Sequence, residues 1–380
     1  MDYLLTPEQI ELQKLFRDFA QKEVAPVSKE YDEKGEFPME LFKKAAAIGM
    51  TTLHLPEKYG GCGESALTQC IVGEELAKAD AGFATAVGAC DLATIPALTA
   101  GTDEQIQKVA DVLLSGGLAA FCLTEADAGS DVASLKTTAV KDGEDYIING
   151  AKCFITNGGV AGIYTVFATV DRSLGSKGIT AFLVERDRPG VSVGKEEDKV
   201  GIRLSNTSEV IFRDVRVPAS SILGGVGQGM KIAMSTLDKT RVSDVPACAV
   251  GICQKAIDLS INYAKERKTF GRPIIENQAI QFKLADMEIK TQAARQMTRY
   301  SANLVDHGIV DSKITAASKA FAGNTVMEVT VEAMQIFGGY GYMREYPVEK
   351  LMRDAKIFQI FEGTTEVQQM VIARALMKGR

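Results

Sequence analysis

The sequence predicts an α+β chain with a helical segment, a β-rich segment and a second helical segment. Three observations carry this. Apolar residues recur at helical spacing in the first hundred residues. Short β-branched stretches divided by Gly, Asn and Asp fill residues 118 to 218. Long periodic stretches return after Gly224-Gly225-Val226-Gly227 and persist to the end. The expected divisions are 1–117, 118–224 and 225–380.

The elements follow in order. Thr6-Pro7-Glu8 starts a helix, a capping hydroxyl followed by proline in the first turn. Leu12, Leu15, Phe16 and Phe19 then mark one buried face. Phe37-Pro38 opens a second helix expected to run through Met50. Residues 56–61 read as a turn, and a third helix follows through Ala79. In the middle segment, Tyr146-Ile147-Ile148 before Asn149-Gly150 is a hairpin signal. Strands are expected over 164–170, 179–184 and 209–217, as in a β-barrel or sandwich. Helices are expected over 229–268, 277–306 and 310–337, and Pro246 should kink the first of them.

Composition narrows the chemistry. The 380 residues exceed the length of one ordinary domain, and 46% are hydrophobic, so a large core is expected. With 43 basic and 49 acidic side chains the net charge is −6, which argues against a nucleic-acid partner. His54 and His307 are the only histidines, so a His-rich metal site is excluded and acid–base work falls to carboxylates. Neither G-x-S-x-G, G-x-G-x-x-G nor G-x-x-x-x-G-K occurs. The cysteine count is odd, seven, with no C-x-x-C, which fits a reducing, cytoplasmic compartment. Met1-Asp2-Tyr3 does not open a signal peptide, and no uninterrupted apolar run is long enough for a membrane span.

Four stretches hold more special residues than packing needs. LTEADAGSD at 123–131 combines small residues and hydroxyls that let a backbone approach a flat or anionic ligand, although it also reads as a plain polar loop. Phe154-Ile155-Thr156-Asn157 places an aromatic beside two polar groups, and is equally a strand with its turn. Residues 266–273 place three cations beside a hydroxyl, suited to phosphate, where a helix is expected to end at glycine and proline. The commoner case is cations at a helix C-terminus. In 360–368, Thr365 and Gln368 make a capping box for the last helix. Glu362 lies outside the box with apolar flanks, where desolvation would raise its pKa and make it a better base.

Taken together, these motifs resemble those of the flavin-dependent acyl-CoA dehydrogenases. The matching stretches are PEKYGG (56–61), LTEADAGSD, FITNGG (154–159), DVRVP (214–218), LDKTR (237–241), ERKTFGRPI (266–274), QIFGGYGY (335–342) and YPVEKLMRDAKIFQIFEGT (346–364). They span nearly the whole chain in family order. The resemblance implies an N-terminal helical domain, a middle β-domain, a C-terminal four-helix domain, and one FAD per subunit of a homotetramer. It assigns Phe121, Leu123, Thr124, Gly129, Ser130, Phe154, Ile155, Thr156, Thr364 and Glu366 to the flavin. Arg267, Thr269, Phe270, Gln278, Gln335, Ile336, Gly338 and Gly339 would reach the FAD of a neighbouring subunit. Ser130, Asp238, Arg241 and Gly363 would touch the CoA thioester. Glu362 matches the family's catalytic base, and the alternative place before Arg241 holds Thr240. The implied reaction removes the α-proton and passes a β-hydride to flavin N5, with electron-transferring flavoprotein as acceptor.

Three departures stand out. Phe154 occupies a place where many members have tryptophan. Pro246 should reshape the helix that lines the acyl site. Asp91 stands where members usually have Ser or Thr, near the acyl pocket. One reading makes Asp91 an N-cap of the next helix. The other makes it a second base, as in the branch acting on cyclohexane- or cyclohexene-carboxyl-CoA. The alternative substrate is a short linear or branched acyl-CoA such as butyryl-CoA. Two further classes share the fold, a non-catalytic binding protein and an oxidase using oxygen directly, and an intact Glu362 counts against the first.

Overall fold

The computed structural model describes residues 4–379. The reading of Met1-Asp2-Tyr3 therefore lies outside the described residues.

Helices α1 (Pro7–Phe19) and α2 (Ala25–Lys34) run on through a π-helical turn at Ala20–Val24. Thr6 caps α1 as expected, in a box with Gln9. Phe16 is buried, but Leu15 is half exposed, so the buried stripe is narrower than its apolar spacing suggests. The second helix, α3 (Met39–Ala47), stops short of Met50, which begins a separate 3₁₀ turn after the left-handed Gly49. Helices α4 (Ala66–Ala79), α5 (Ala81–Ala100) and α6 (Asp103–Leu114) complete the first segment. By length and composition α5 could cross a membrane, yet 78% of its apolar window is buried inside the protein.

The middle segment holds strands β1 (Ala119–Cys122), β2 (Thr138–Asp142), β3 (Asp145–Thr156), β4 (Ile163–Thr169), β5 (Ile179–Glu185), β6 (Val191–Glu196), β7 (Thr207–Pro218) and β8 (Ile222–Leu223). They form one mixed sheet in the order β6-β7-β3-β2-β4-β5-β8, with β1 parallel to β4. Its core includes Ile148, Tyr164, Val166, Phe182 and Phe212. Asn149-Gly150 is not a hairpin turn. It sits inside β3 at a register shift against β7, and the chain reverses instead between Asp142 and Asp145. Gly150 is required there because a Cβ would meet Thr137 Oγ1 at 2.3 Å.

Helices α7 (Gly229–Ser243) and α8 (Val245–Glu266) replace the single long helix, and the break falls at Asp244, two residues before Pro246. Proline in the first turn of α8 needs no N–H partner, which is why the break is tolerated here. Past α8, Lys268–Thr269 (β9) and Arg272–Pro273 (β10) pair around Phe270-Gly271, both with positive φ. The helix thus ends before the basic knot, which is a small hairpin. Helices α9 (Gln278–Asp306), α10 (Ser312–Phe337), α11 (Val348–Ala355) and α12 (Thr365–Met377) follow. Helix α10 packs on α8, α9 and α12, and α4 packs on α8, joining the two helical segments.

Candidate active site

The turn between α11 and α12 holds Glu362 in a left-handed conformation, φ 50°, followed by Gly363 at φ 94°. A left-handed glutamate costs of order 1–3 kcal/mol, and such strain persists where the surroundings over-determine it. Three side chains do so here. Arg241 Nε donates to the Glu362 carbonyl at 2.8 Å, Gln368 Nε2 donates to the carbonyls of Glu362 and Gly363 at 3.2 and 3.0 Å, and Lys319 Nζ donates to that of Gly363 at 2.7 Å. Gln368 is therefore not half of a capping box. The cap of α12 is Thr364, which accepts from Val367 N, while Thr365 lies one residue inside the helix.

These bonds hold the backbone, and none of them reaches the carboxylate. Among the described residues Glu362 Oε2 is buried without a hydrogen-bond partner. Burial pushes the Glu362 carboxyl above its ordinary value, against the opposing charges of Arg241 and Lys319. Lys319, fully buried on α10, is itself held down to about 8 by burial.

Asp91 lies in the middle of α5, whose N-cap is Asp80, so the capping reading is overturned. Its Oδ1 stands 2.5 Å from Nδ1 of His54, and the two side chains are 17% and 2% exposed. The pair meets by distance without hydrogen-bond alignment. A third carboxyl, Asp244, lies over Gly88 of α5, and the charges of Glu362 and Asp91 both bear on it. Burial is the main cause that raises its pKa well above the ordinary range. Asp244 thus lies within electrostatic reach of both Glu362 and Asp91.

The residues assigned to the flavin fall in two groups. Thr124 accepts through its carbonyl from Cys153 N at 3.0 Å, which seats the end of β3 on the loop after β1. There Phe154 turns outward, 63% exposed at φ 57°, and Thr156 is partly exposed, while Ile155 and Leu123 are buried. Phe121 packs on Phe167 with ring centres 4.9 Å apart. Gly129 faces open space and Ser130 is exposed. Asn157 donates to the Ala86 carbonyl at 2.9 Å and ties this edge to α5. Glu366 is exposed in the first turn of α12, where Thr364 is partly buried.

In the second group, Arg267, Thr269, Ile336, Gly338 and Gly339 line a cavity of about 480 Å³ with Tyr263, Phe337 and Tyr340. The Arg267 guanidinium lies 5.3 Å from the Tyr340 ring centre. Gln278 and Gln335 are exposed, and Phe270 is wholly exposed at its hairpin tip. Of the residues expected at the thioester, Arg241 is only 6% exposed and bonded to Glu362, and Asp238 accepts from Ser312 Oγ at 2.6 Å.

Sequence reasoning missed His54, Asp244, Lys319 and the ion pair Lys152–Glu125. Lys152 Nζ meets Glu125 Oε1 at 2.7 Å and the Leu123 carbonyl at 3.0 Å, fixing the 123–125 backbone from beneath. The signal for Lys319 was available: a lone cation in an Ala-rich helical run that ends fully buried. Asp244 follows Arg241 by three residues and precedes Pro246 by two, also a visible signal.

Glu362 is thus a buried carboxyl beside two cations on a three-segment helix–sheet–helix scaffold. The chain belongs to the acyl-CoA dehydrogenase family: the family's N-terminal, middle and C-terminal domain models match residues 6–117, 120–215 and 227–377. It is 46% identical to acryloyl-CoA reductase (NADH) of Anaerotignum propionicum over 381 residues, covering 100% of this chain and 96% of that one. Butyryl-CoA dehydrogenase from Megasphaera elsdenii superposes with a TM-score of 0.97 at 46% identity, over 99% of this chain and 100% of that one. A chain in a structure reported for the electron transferring flavoprotein of Acidaminococcus fermentans superposes with a TM-score of 0.97 at 44% identity, over the full length of both. The enzyme acts on CH–CH groups, and the family's cofactor is FAD. The residues present fit it: Gly338 and Gly339 leave open space where a Cβ would stand, and Phe154 and Phe270 present exposed rings.

Proposed function

We propose that this enzyme dehydrogenates an alicyclic acyl-CoA such as cyclohexane- or cyclohex-1-ene-1-carboxyl-CoA. The observation that carries the reading is Asp91, a carboxylate in mid-helix with no capping role, whose charge and that of Glu362 both bear on the buried Asp244. Beside a linear apolar tail such a group costs desolvation and has no chemical use. Beside a ring it has a use, because a ring C–H distant from the thioester is within reach of a second base.

In this reading Glu362 takes the α-proton. Its raised pKa brings it nearer to that of the proton it removes. Arg241, Gln368 and Lys319 keep the strained turn in place, so the carboxylate needs no rearrangement before reaction. FAD, when bound, would supply the hydride acceptor, so that loss of the α-proton to Glu362 and of a hydride from the β-carbon leaves a carbon–carbon double bond in a saturated ring. Cyclohex-1-ene-1-carboxyl-CoA has no α-proton; there Asp91 takes a proton from one allylic ring carbon while the hydride leaves the other, and this vinylogous, 1,4-type elimination leaves a conjugated ring diene. The two glycine-and-aromatic groups hold FAD, the second of them from a neighbouring subunit of a homotetramer. The electron acceptor is electron-transferring flavoprotein, a partner suggested by the Acidaminococcus likeness, and the compartment is the cytoplasm.

A second reading, a short linear or branched substrate, is favoured by the 46% identity to butyryl-CoA dehydrogenase. Asp91→Asn separates the two. Ring turnover falling by about 10²-fold or more with butyryl-CoA turnover kept supports the alicyclic reading. Equal ring turnover in variant and native enzyme defeats it.

A further inference from the structure

His54 stands between two buried leucines, Leu53 and Leu55. Backbone bonds clamp this stretch: Cys62 N, Glu64 N and Gly63 N donate to the carbonyls of Thr52, Leu53 and Leu55 at 3.1, 2.8 and 2.8 Å. Gly61 allows the close return, since a Cβ there would meet the Leu55 carbonyl oxygen at 2.2 Å. The preceding 3₁₀ turn, Met50–Thr52, packs on α5. The imidazole therefore meets α5 from a fixed backbone, with Nδ1 2.5 Å from Asp91 Oδ1. That is the one polar contact the ring makes among the described residues.

The two ring nitrogens differ. Nε2 is buried with no hydrogen-bond partner among the described residues, so a proton there would be an unsatisfied donor. A proton on Nδ1 faces a carboxylate oxygen, which favours that tautomer. The contact is close but not aligned as a hydrogen bond. The terminal torsion of an aspartate is broad, so the carboxylate can turn into line without moving either backbone. The two carboxylate oxygens differ as well. Oδ1 is buried against the imidazole, whereas Oδ2 is not buried, in a side chain 17% exposed.

We propose that His54 is a positioning residue whose Nδ1–H holds Oδ1 of Asp91 and leaves Oδ2 to take the ring proton. This rests on the reading of Asp91 as a second base. It gives a use to a histidine that is otherwise an unpaired polar group in an apolar stretch. It also gives the buried oxygen of Asp91 a partner, without which that carboxylate would be desolvated and unsupported.

The test is steady-state turnover of cyclohex-1-ene-1-carboxyl-CoA and of butyryl-CoA by the holoenzyme, with His54→Phe, His54→Asn, His54→Gln and Asp91→Asn in parallel. His54→Phe keeps a flat ring without the donor. It is expected to lower kcat on the ring substrate by about 10- to 100-fold with KM little moved. The loss on butyryl-CoA should be far smaller, because Glu362 alone serves that substrate. His54→Asn carries an amide N–H near the place of Nδ1 and is expected to recover most of the ring turnover. His54→Gln carries it near the place of Nε2 and should recover less. A merely structural role would lower both substrates together and would not rank asparagine above glutamine. Native ring turnover in His54→Phe, an equal loss on the two substrates, or His54→Asn no better than His54→Gln overturns the proposal. If His54→Phe fails to fold or to load FAD, the ranking of His54→Asn and His54→Gln decides alone. A native enzyme inactive on the ring substrate, or an unaffected Asp91→Asn, defeats both this inference and the second-base reading. A crippled Asp91→Asn beside an unaffected His54→Phe defeats this inference only.

Discussion

Arg241 Nε donates to the carbonyl oxygen of Glu362 at 2.8 Å, while Glu362 Oε2 has no hydrogen-bond partner among the described residues. The arginine is tied to the backbone of the glutamate and not to its carboxylate. Its charge tempers the rise in the Glu362 pKa without pairing with the carboxylate.

Glu362→Gln is expected to slow α,β-dehydrogenation by about 10²–10⁴-fold with FAD still bound. Anaerobic bleaching of the flavin by acyl-CoA measures it. Bleaching at the native rate would move the base elsewhere, with Asp91 the next candidate.

The same variant carries a stability signature. A carboxyl whose pKa is raised by folding holds its proton more tightly folded than unfolded, so stability falls as pH rises from 4.5 through the raised value. Glutamine does not titrate. The thermal midpoint of Glu362→Gln should therefore gain on the native protein as pH rises through that window, with no such gain below it. A midpoint difference that shrinks over the window contradicts the buried, unpaired carboxylate.

Lys319→Met removes a cation whose field lowers the Glu362 pKa. The acidic limb of kcat/KM should move to higher pH, since the base then deprotonates later. Burial holds the Lys319 ammonium at about 8, so the native cation is present at neutral pH and the comparison is clean there. A pH–rate profile with an unmoved limb would show that Lys319 serves only the Gly363 carbonyl.

Lys152→Met leaves Glu125 as a buried carboxylate without its cation and is expected to cost about 3–5 kcal/mol. Burial works to raise the Glu125 pKa, yet Lys152 and the N–H groups of Lys136 and Thr137 hold it below the ordinary value. The native pair therefore stabilises above pH 4.5 and loses its effect as pH falls below it. Denaturant unfolding at neutral and acid pH reads both, and an equal midpoint for variant and native at neutral pH would contradict the pairing.

Much of the site was legible in sequence, and the failures have definite physical causes. Glu362 stood out through its apolar flanks and the motif around it. Thr365 and Gln368 had the spacing of a capping box, but Gln368 is drawn to the Glu362 and Gly363 carbonyls, and the cap moves to Thr364. Asp91 was ambiguous because α5 is apolar on nearly every side, so no periodicity shows where the helix begins. Asn149-Gly150 was read as a turn because a bulge and a hairpin use the same residues. His54 met Asp91, and Asp244 met Gly88, only through tertiary packing across long sequence separations.

Gly88→Ala should displace the Asp244 carboxyl, because the added Cβ would stand 2.3 Å from its Cγ. Overpacking of this kind costs about 1–3 kcal/mol. Thermal melting should show the loss, and an unchanged midpoint would mean that the carboxyl does not sit over α5.

The central claim is that two carboxylates, Glu362 and Asp91, serve a ring substrate. Its most direct test is kcat/KM of the native enzyme on cyclohex-1-ene-1-carboxyl-CoA against butyryl-CoA under one acceptor. The account predicts that the ring substrate is preferred. Butyryl-CoA favoured by orders of magnitude would contradict it.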